Sequence, residues 1–116
     1  MFELTKRFTF DAAHFLPMVS AGHKCRRLHG HTYTLEVSVA GDLDADAGWV
    51  LDFGDISAAV APILKQLDHH LLNDIAGLEN PTAEMLAKWI ASRLTTLPLS
   101  SVTIRETPTS ACVYRL

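Results

Sequence analysis

Cysteine is scarce in this 116-residue chain, which has only Cys25 and Cys112. Two cysteines give neither a disulfide framework nor the paired-Cys spacing of a zinc finger, although counting alone leaves a Cys25–Cys112 bridge open. Long apolar runs are missing as well. No stretch approaches the ~20 residues that span a bilayer, so no membrane partner is expected. The first residues lack the basic start, apolar centre and small-residue cleavage site of a secretory signal. The expected location is the cytoplasm, where thiols stay reduced. Nor does one sign of charge dominate: the formal net charge is −3 and like charges do not run together. Lys24, Arg26 and Arg27 form the only tight basic cluster. It is too small for a nucleic-acid footprint, so no nucleic-acid partner is expected. It suits a small phosphorylated ligand, or it is simply a solvated loop.

What the chain does contain is an ordinary globular balance. Hydrophobic residues make up 48% and charged residues 20%, a composition that folds rather than staying disordered. The length predicts one domain, residues 1–116. Phe2, Leu4, Phe8, Phe10 and Ala12 alternate with Glu3, Thr5, Arg7, Thr9 and Asp11, the period-two pattern of a half-buried strand. Lys6 is the one polar intrusion on the apolar face. The same parity carries His14 to the inward-facing end. Residues 15–28 read as a loop. A second strand is predicted from about His29 to Ala40, with His29, His31, Tyr33, Leu35, Val37 and Val39 on one face. If the two strands are antiparallel neighbours, His14 comes close to His29 and His31.

Gly41 to Gly48 reads as a turn. Ile56, Ala59, Val60, Ile63, Leu64 and Leu67 recur at helical spacing, predicting a helix from about Asp55 to Leu67 despite Pro62. Asn80-Pro81 is expected to open a second helix, with Asn as cap and Pro in the first turn. Its apolar stripe is Met85, Leu86, Trp89, Ile90 and Leu94. Alternation returns at Val102, Ile104 and Glu106, and a last strand is predicted from about Ala111 to Tyr114. The expected architecture is α+β, ββααββ, with two helices on one face of a four-stranded antiparallel sheet.

Three clusters carry chemistry. His29-Gly30-His31 puts two imidazoles on one strand face, and His14 supplies a third. Three histidines with an open fourth position describe a catalytic zinc site; the alternative is three unrelated histidines. Cys25 sits among Lys24, Arg26 and Arg27, and positive charge beside a thiol favours the thiolate; a lone cysteine is otherwise inert. Asp68-His69-His70 closes the first helix and pairs a carboxylate with an imidazole, as a proton relay does, or places a histidine favourably at a helix C-terminus. Glu106 falls on an inward face and needs a partner. A ligand edge with two parallel N–H donors would serve, as would an internal Arg, Lys or backbone amide.

The blocks FTFDAAHFLP, GHKCRRLHGHTY, GWVLDFGDI, LDHHLLND, LENPTAEMLAKWI and ETPTSACVYR resemble those of the 6-carboxy-tetrahydropterin synthases, which belong with the 6-pyruvoyl-tetrahydropterin synthases. The resemblance implies the tunnelling fold, with subunits closing their sheets into a barrel, typically a homohexamer of two trimers with inter-subunit active sites. It implies Zn²⁺ on His14, His29 and His31, Cys25 as catalytic thiol, and Asp68 and His69 as proton relay. Glu106 would anchor the pterin ring, with Lys24, Arg26 and Arg27 as candidates for the triphosphate. The implied reaction converts 7,8-dihydroneopterin triphosphate to 6-carboxy-5,6,7,8-tetrahydropterin, acetaldehyde and triphosphate, toward queuosine and related 7-deazapurines. The alternatives are 6-pyruvoyl-tetrahydropterin synthase chemistry, a non-enzymatic zinc- or pterin-binding module, and an oligomeric structural protein with incidental histidines.

Overall fold

The two alternating N-terminal stretches become strands β1 (Phe2–His14) and β2 (His29–Gly41). They pair antiparallel without a break, from Phe2 opposite Gly41 to His14 opposite His29. The computed structural model describes all 116 residues. After β2 come helices α1 (Phe53–Leu67) and α2 (Ala83–Ser92), then strands β3 (Leu99–Arg105) and β4 (Cys112–Arg115). The sheet order is β1-β2-β3-β4, with every neighbour antiparallel. The ββααββ expectation holds.

Period-two alternation sorts the sheet into two faces. Tyr33, Leu35, Val37 and Val39 of β2 are buried toward the helices, as are Val102 and Ile104 of β3, while Thr32, Thr34 and Glu36 lie on the open face. α1 covers β1, and α2 covers β3 and β4. Each large apolar side chain so buried stabilises the fold by ~1.5–3 kcal/mol. Lys6 stays half-buried at the outer edge. No helix is long and apolar enough to cross a membrane.

The helix boundaries follow their caps. α1 starts two residues before the expected Asp55, because Asp52 Oδ1 accepts the Gly54 N–H at 2.8 Å. Pro62 is tolerated because it and Ala58 are both exposed, so the Ala58 carbonyl it cannot serve is open to water. The expected start of α2 is corrected. The cap is Thr82, not Asn80: Thr82 Oγ1 accepts the Met85 N–H at 3.1 Å. Asn80 and Pro81 precede the helix, and Pro81 turns its carbonyl toward His14 instead.

Two features of the sheet create a site. β3 pairs with β2 only from Thr34 onward, so His29–Tyr33 extend past it. At the same end the chain leaving α1 hydrogen-bonds along the outer edge of β1. The His69 N–H donates to Asp11 O at 2.6 Å and the Ala13 N–H donates to His70 O at 3.1 Å. That contact covers a strand edge that would otherwise stay unpaired.

Thr82→Ala is expected to cost about 1 kcal/mol through loss of the cap. Chemical denaturation checks this, and an unchanged midpoint would show that Thr82 does not start the helix.

Candidate metal centre and its surroundings

His14 ends β1, His29 begins β2 directly opposite, and His31 follows two residues on. All three point to the helix side, as their strand parity requires. His14 is 1% exposed. Its Nδ1–H donates to Pro81 O at 2.9 Å, and the His29 Nδ1–H donates to Arg27 O at 2.7 Å. A carbonyl can only accept, so Nδ1 carries the proton in both rings and Nε2 keeps its lone pair. Burial pulls the pKa of His14 below 6.5, outweighing the Pro81 hydrogen bond and the charge of Glu106, which raise it. Burial does the same to His31 against Glu106. His14 and His31 are therefore neutral near pH 7.

The His14 and His29 rings turn their Nε2 atoms toward one another. His14 Nε2 and His29 Nε2 lie 3.0 Å apart. Ligand atoms of all three histidines fall within 4.8 Å of one another. Glu106 Oε2 adds a carboxylate oxygen 3.5 Å from His14 Nε2 and 3.7 Å from His31 Nε2. Although Glu106 approaches His14, burial keeps the imidazole uncharged, so this is not an ion pair at neutral pH. The lone pairs of His14 Nε2 and His29 Nε2, with a carboxylate oxygen beside them and His31 close by, suit a cation. A tetrahedral zinc with ~2.0–2.1 Å bonds spaces its ligands roughly 3.3 Å apart, so the donor set suits that ion. The backbone carbonyls on the two Nδ1 atoms are the outer partners such a site uses to hold its rings.

The other expected residues surround this cluster, and His31 is where they meet. One cavity of about 420 Å³ joins His29 and His31 to Cys25, Lys24 and Arg27. Cys25 is half-buried in a single 3₁₀ turn, Lys24–Arg26, capped by His23. Arg26 does not line this cavity; its guanidinium donates to Val19 O at 2.9 Å. A second cavity of about 600 Å³ joins His31 to His69, His70 and Asp11. A third joins His31 to Glu106, Arg7, Arg105 and Thr107. From Glu106 a fourth continues to Ala83, Glu84 and Cys112.

The Asp68–His69 pair is formed. The His69 Nδ1–H donates to Asp68 Oδ2 at 3.0 Å, and Asp68 Oδ1 accepts the Asp11 N–H at 2.9 Å. His69 has φ of +58°, a left-handed conformation that costs of order 1–3 kcal/mol in a non-glycine residue unless its surroundings hold it. Its hydrogen bond to the Asp11 carbonyl does so. The Asp11 N–H, then His69, hold Asp68 below the usual carboxylate range. Asp68 in turn raises His69 above 6.5. Sequence reasoning missed Glu84, whose only signal is its place in the first turn of α2. It also missed Pro81, whose contribution is a backbone carbonyl.

Residues 3–116 match the family model described as 6-pyruvoyl tetrahydropterin synthase. The chain belongs to that family. It is 44% identical to the 6-carboxy-5,6,7,8-tetrahydropterin synthase of Synechocystis sp. (strain ATCC 27184 / PCC 6803 / Kazusa), over 98% of this chain and 93% of the relative. It is 42% identical to the Bacillus subtilis (strain 168) protein of the same name, over 98% and 85%. The solved structure of Caenorhabditis elegans 6-pyruvoyl tetrahydropterin synthase superposes with a TM-score of 0.90 at 26% identity, over 99% and 95% of the two chains. The architecture is thus the tunnelling fold of this family.

The pH behaviour of the pair follows from the two shifts. His69 lies above 6.5 in the folded state, so its share of the stabilisation is complete below 6.5 and is lost as pH rises through the folded value. Asp68 lies below 3.8, so its share is present above 3.8 and is lost as pH falls through the folded value. NMR titration should find His69 above 6.5, returning toward 6.5 in Asp68→Asn. An unmoved His69 would show that the pair is not formed in solution.

Proposed function

We propose that this protein is a zinc-dependent 6-carboxy-tetrahydropterin synthase. It converts 7,8-dihydroneopterin triphosphate and one water to 6-carboxy-5,6,7,8-tetrahydropterin, acetaldehyde and triphosphate, in the cytoplasm, toward queuosine and related 7-deazapurines. The observation that carries this reading is the convergence on His31. A three-histidine cluster has a thiol, an Asp–His pair and a carboxylate opening onto it from separate cavities. The names of the two bacterial relatives support the choice of product.

Zinc held by His14, His29 and His31 supplies Lewis-acid polarisation of the substrate's side-chain oxygens, which acidifies the neighbouring C–H bonds. Cys25 takes or returns a proton from its own cavity. His69, with Asp68 fixing Nδ1–H, exchanges protons at Nε2 from the cavity on the other side. Glu106 accepts two N–H groups from the pterin edge and fixes the ring, so that these groups meet the right carbons. Lys24 and Arg27, which line the cavity of Cys25, are the candidates for the triphosphate. Arg26 has already committed one guanidinium nitrogen to Val19.

A homohexamer of two trimers with sites between subunits belongs to this reading. β4 is a four-residue edge strand, and the contact from the α1 exit covers β1 only near Asp11–Ala13. The remaining edges are the kind a neighbouring sheet covers.

6-Pyruvoyl-tetrahydropterin synthase chemistry is the second reading, favoured by the likeness to the C. elegans structure. It uses the same groups and retains the side-chain carbons.

Incubating zinc-loaded protein with 7,8-dihydroneopterin triphosphate should give the 6-carboxy product by mass spectrometry. Cys25→Ala should lower kcat by about 10²–10⁴ while keeping its zinc. A 6-pyruvoyl product transfers the assignment to the second reading. Unchanged substrate from folded, metal-replete protein rules out both synthases and leaves a binding module. Metal analysis should find one zinc per chain, lost in His14→Ala and His31→Ala. Full zinc in both variants would remove the triad from the site.

A further inference from the structure

Only two buried side-chain polar atoms in the chain have no hydrogen-bond partner, Tyr33 Oη and Asn80 Oδ1. Tyr33 packs on the His14 and His31 rings, and Asn80 directly precedes the residue whose carbonyl holds His14. The Tyr33 ring lies edge-on to His14, with centroids 5.9 Å apart, and is held flat against Phe10 at 4.9 Å and 8°. Asn80 is joined by a peptide bond to Pro81, whose carbonyl accepts from His14 Nδ1 at 2.9 Å. Tyr33 is completely buried, so bulk water does not reach its hydroxyl. A phenol is protonated at neutral pH, so Tyr33 Oη is an O–H donor. Asn80 Oδ1 is an acceptor. The two atoms are chemically complementary, and a buried polar atom left unmatched is costly.

We propose that Tyr33 and Asn80 share one buried water behind His14, and that this bridge fixes the Asn80-Pro81 peptide and so positions the His14 imidazole for the metal. Tyr33 is a positioning residue here: it acts through Asn80, Pro81 and the tautomer of His14. A water that makes two to four hydrogen bonds to otherwise unmatched buried groups is an ordinary part of a folded protein. Partners of this outer kind set metal affinity as well as ring orientation. The proposal rests on the metal-centre reading above, and its test separates the two.

The zinc dissociation constant is measured by chelator competition for wild type, Tyr33→Phe, Asn80→Ala and the double variant. Each single change should weaken zinc binding by about tenfold. The double variant should be no worse than the worse single, because both remove one shared bridge. A high-resolution crystal structure of the zinc-loaded wild type should show one water within ~3 Å of Tyr33 Oη and Asn80 Oδ1. Wild-type affinity in Tyr33→Phe, together with a raised melting temperature, would overturn the proposal by marking the hydroxyl as an unmatched group without a role. Multiplicative losses in the double variant, or no bridging water, would overturn it too. If Asn80→Ala does not fold, Tyr33→Phe, which removes a single oxygen, and the crystal structure decide. A wild type that takes up no zinc removes the metal-centre reading and this proposal together. A wild type that binds zinc beside unaffected variants removes this proposal alone.

Discussion

The register between β1 and β2 sets everything else at the site. Thirteen residue pairs lie opposite one another without a shift, so the parity that buries Phe10, Tyr33, Leu35 and Val37 also fixes where the histidines point. A slip of one residue in a strand would turn its whole apolar set outward. Several large side chains, each contributing ~1.5–3 kcal/mol by burial, oppose that slip. The histidine cluster is thus the last layer of the hydrophobic core, held by packing beyond the cluster itself. The residues opposite its inner member are small. Ala12 faces His31, and a Cβ on Gly30 would meet the Ala12 carbonyl at 3.2 Å, so glycine lets the strands approach between the two imidazoles.

Unequal strand lengths then open this layer to solvent. Because β3 stops at Arg105, opposite Thr34, the end of β2 has no partner on that side, and Glu106 leaves the ladder beside His14 and His31. On the other side, the chain leaving α1 lies along β1 in place of a strand. Its backbone bonds to Asp11 and Ala13 bring Asp68 and His69 to the same end of the sheet. The positive φ of His69 belongs to this arrangement: the chain turns from helix to strand edge within one residue, and two hydrogen bonds at Asp11 hold the turn. A helix C-terminus and two strand ends thereby contribute to one site from positions far apart in sequence.

That division explains what could be read in advance. Strand parity is a property of side chains, so the inward direction of His14, His29, His31 and Glu106 was legible from alternation alone. Helical spacing likewise located α1, and Pro62 did not break it because its unserved carbonyl faces water. The start of α2 was misjudged because Asn, Pro and Thr in succession each suit a helix start. Only the fold shows that Thr82 reaches the Met85 amide while Asn80 lies in the interior. Pro81 was not legible at all: it acts through a carbonyl, which every residue has, on a histidine 67 positions away. The basic cluster was legible as a cluster but not in its division of labour. Arg26 turns back to Val19 while Lys24 and Arg27 line the cavity of Cys25.

The position of His31 also bears on the proposed reaction, which moves several protons. A general base and a general acid work best when they reach a substrate from different sides, since each then has its own route for the proton and neither neutralises the other. In their proposed roles, Cys25 and His69 meet that condition through the fold. The first comes from the loop joining β1 to β2 and the second from the exit of α1, and they reach His31 through separate cavities. Glu106 arrives from the third direction, off the end of β3. His69, whose side chain is 78% exposed, keeps its proton economy coupled to solvent, whereas the 1%-exposed side chain of His14 is isolated from it. Burial therefore separates the proposed roles: the shielded His14 and His31 stay neutral, as metal ligands must, while the exposed His69 at the exit of α1, raised by Asp68, suits proton transfer.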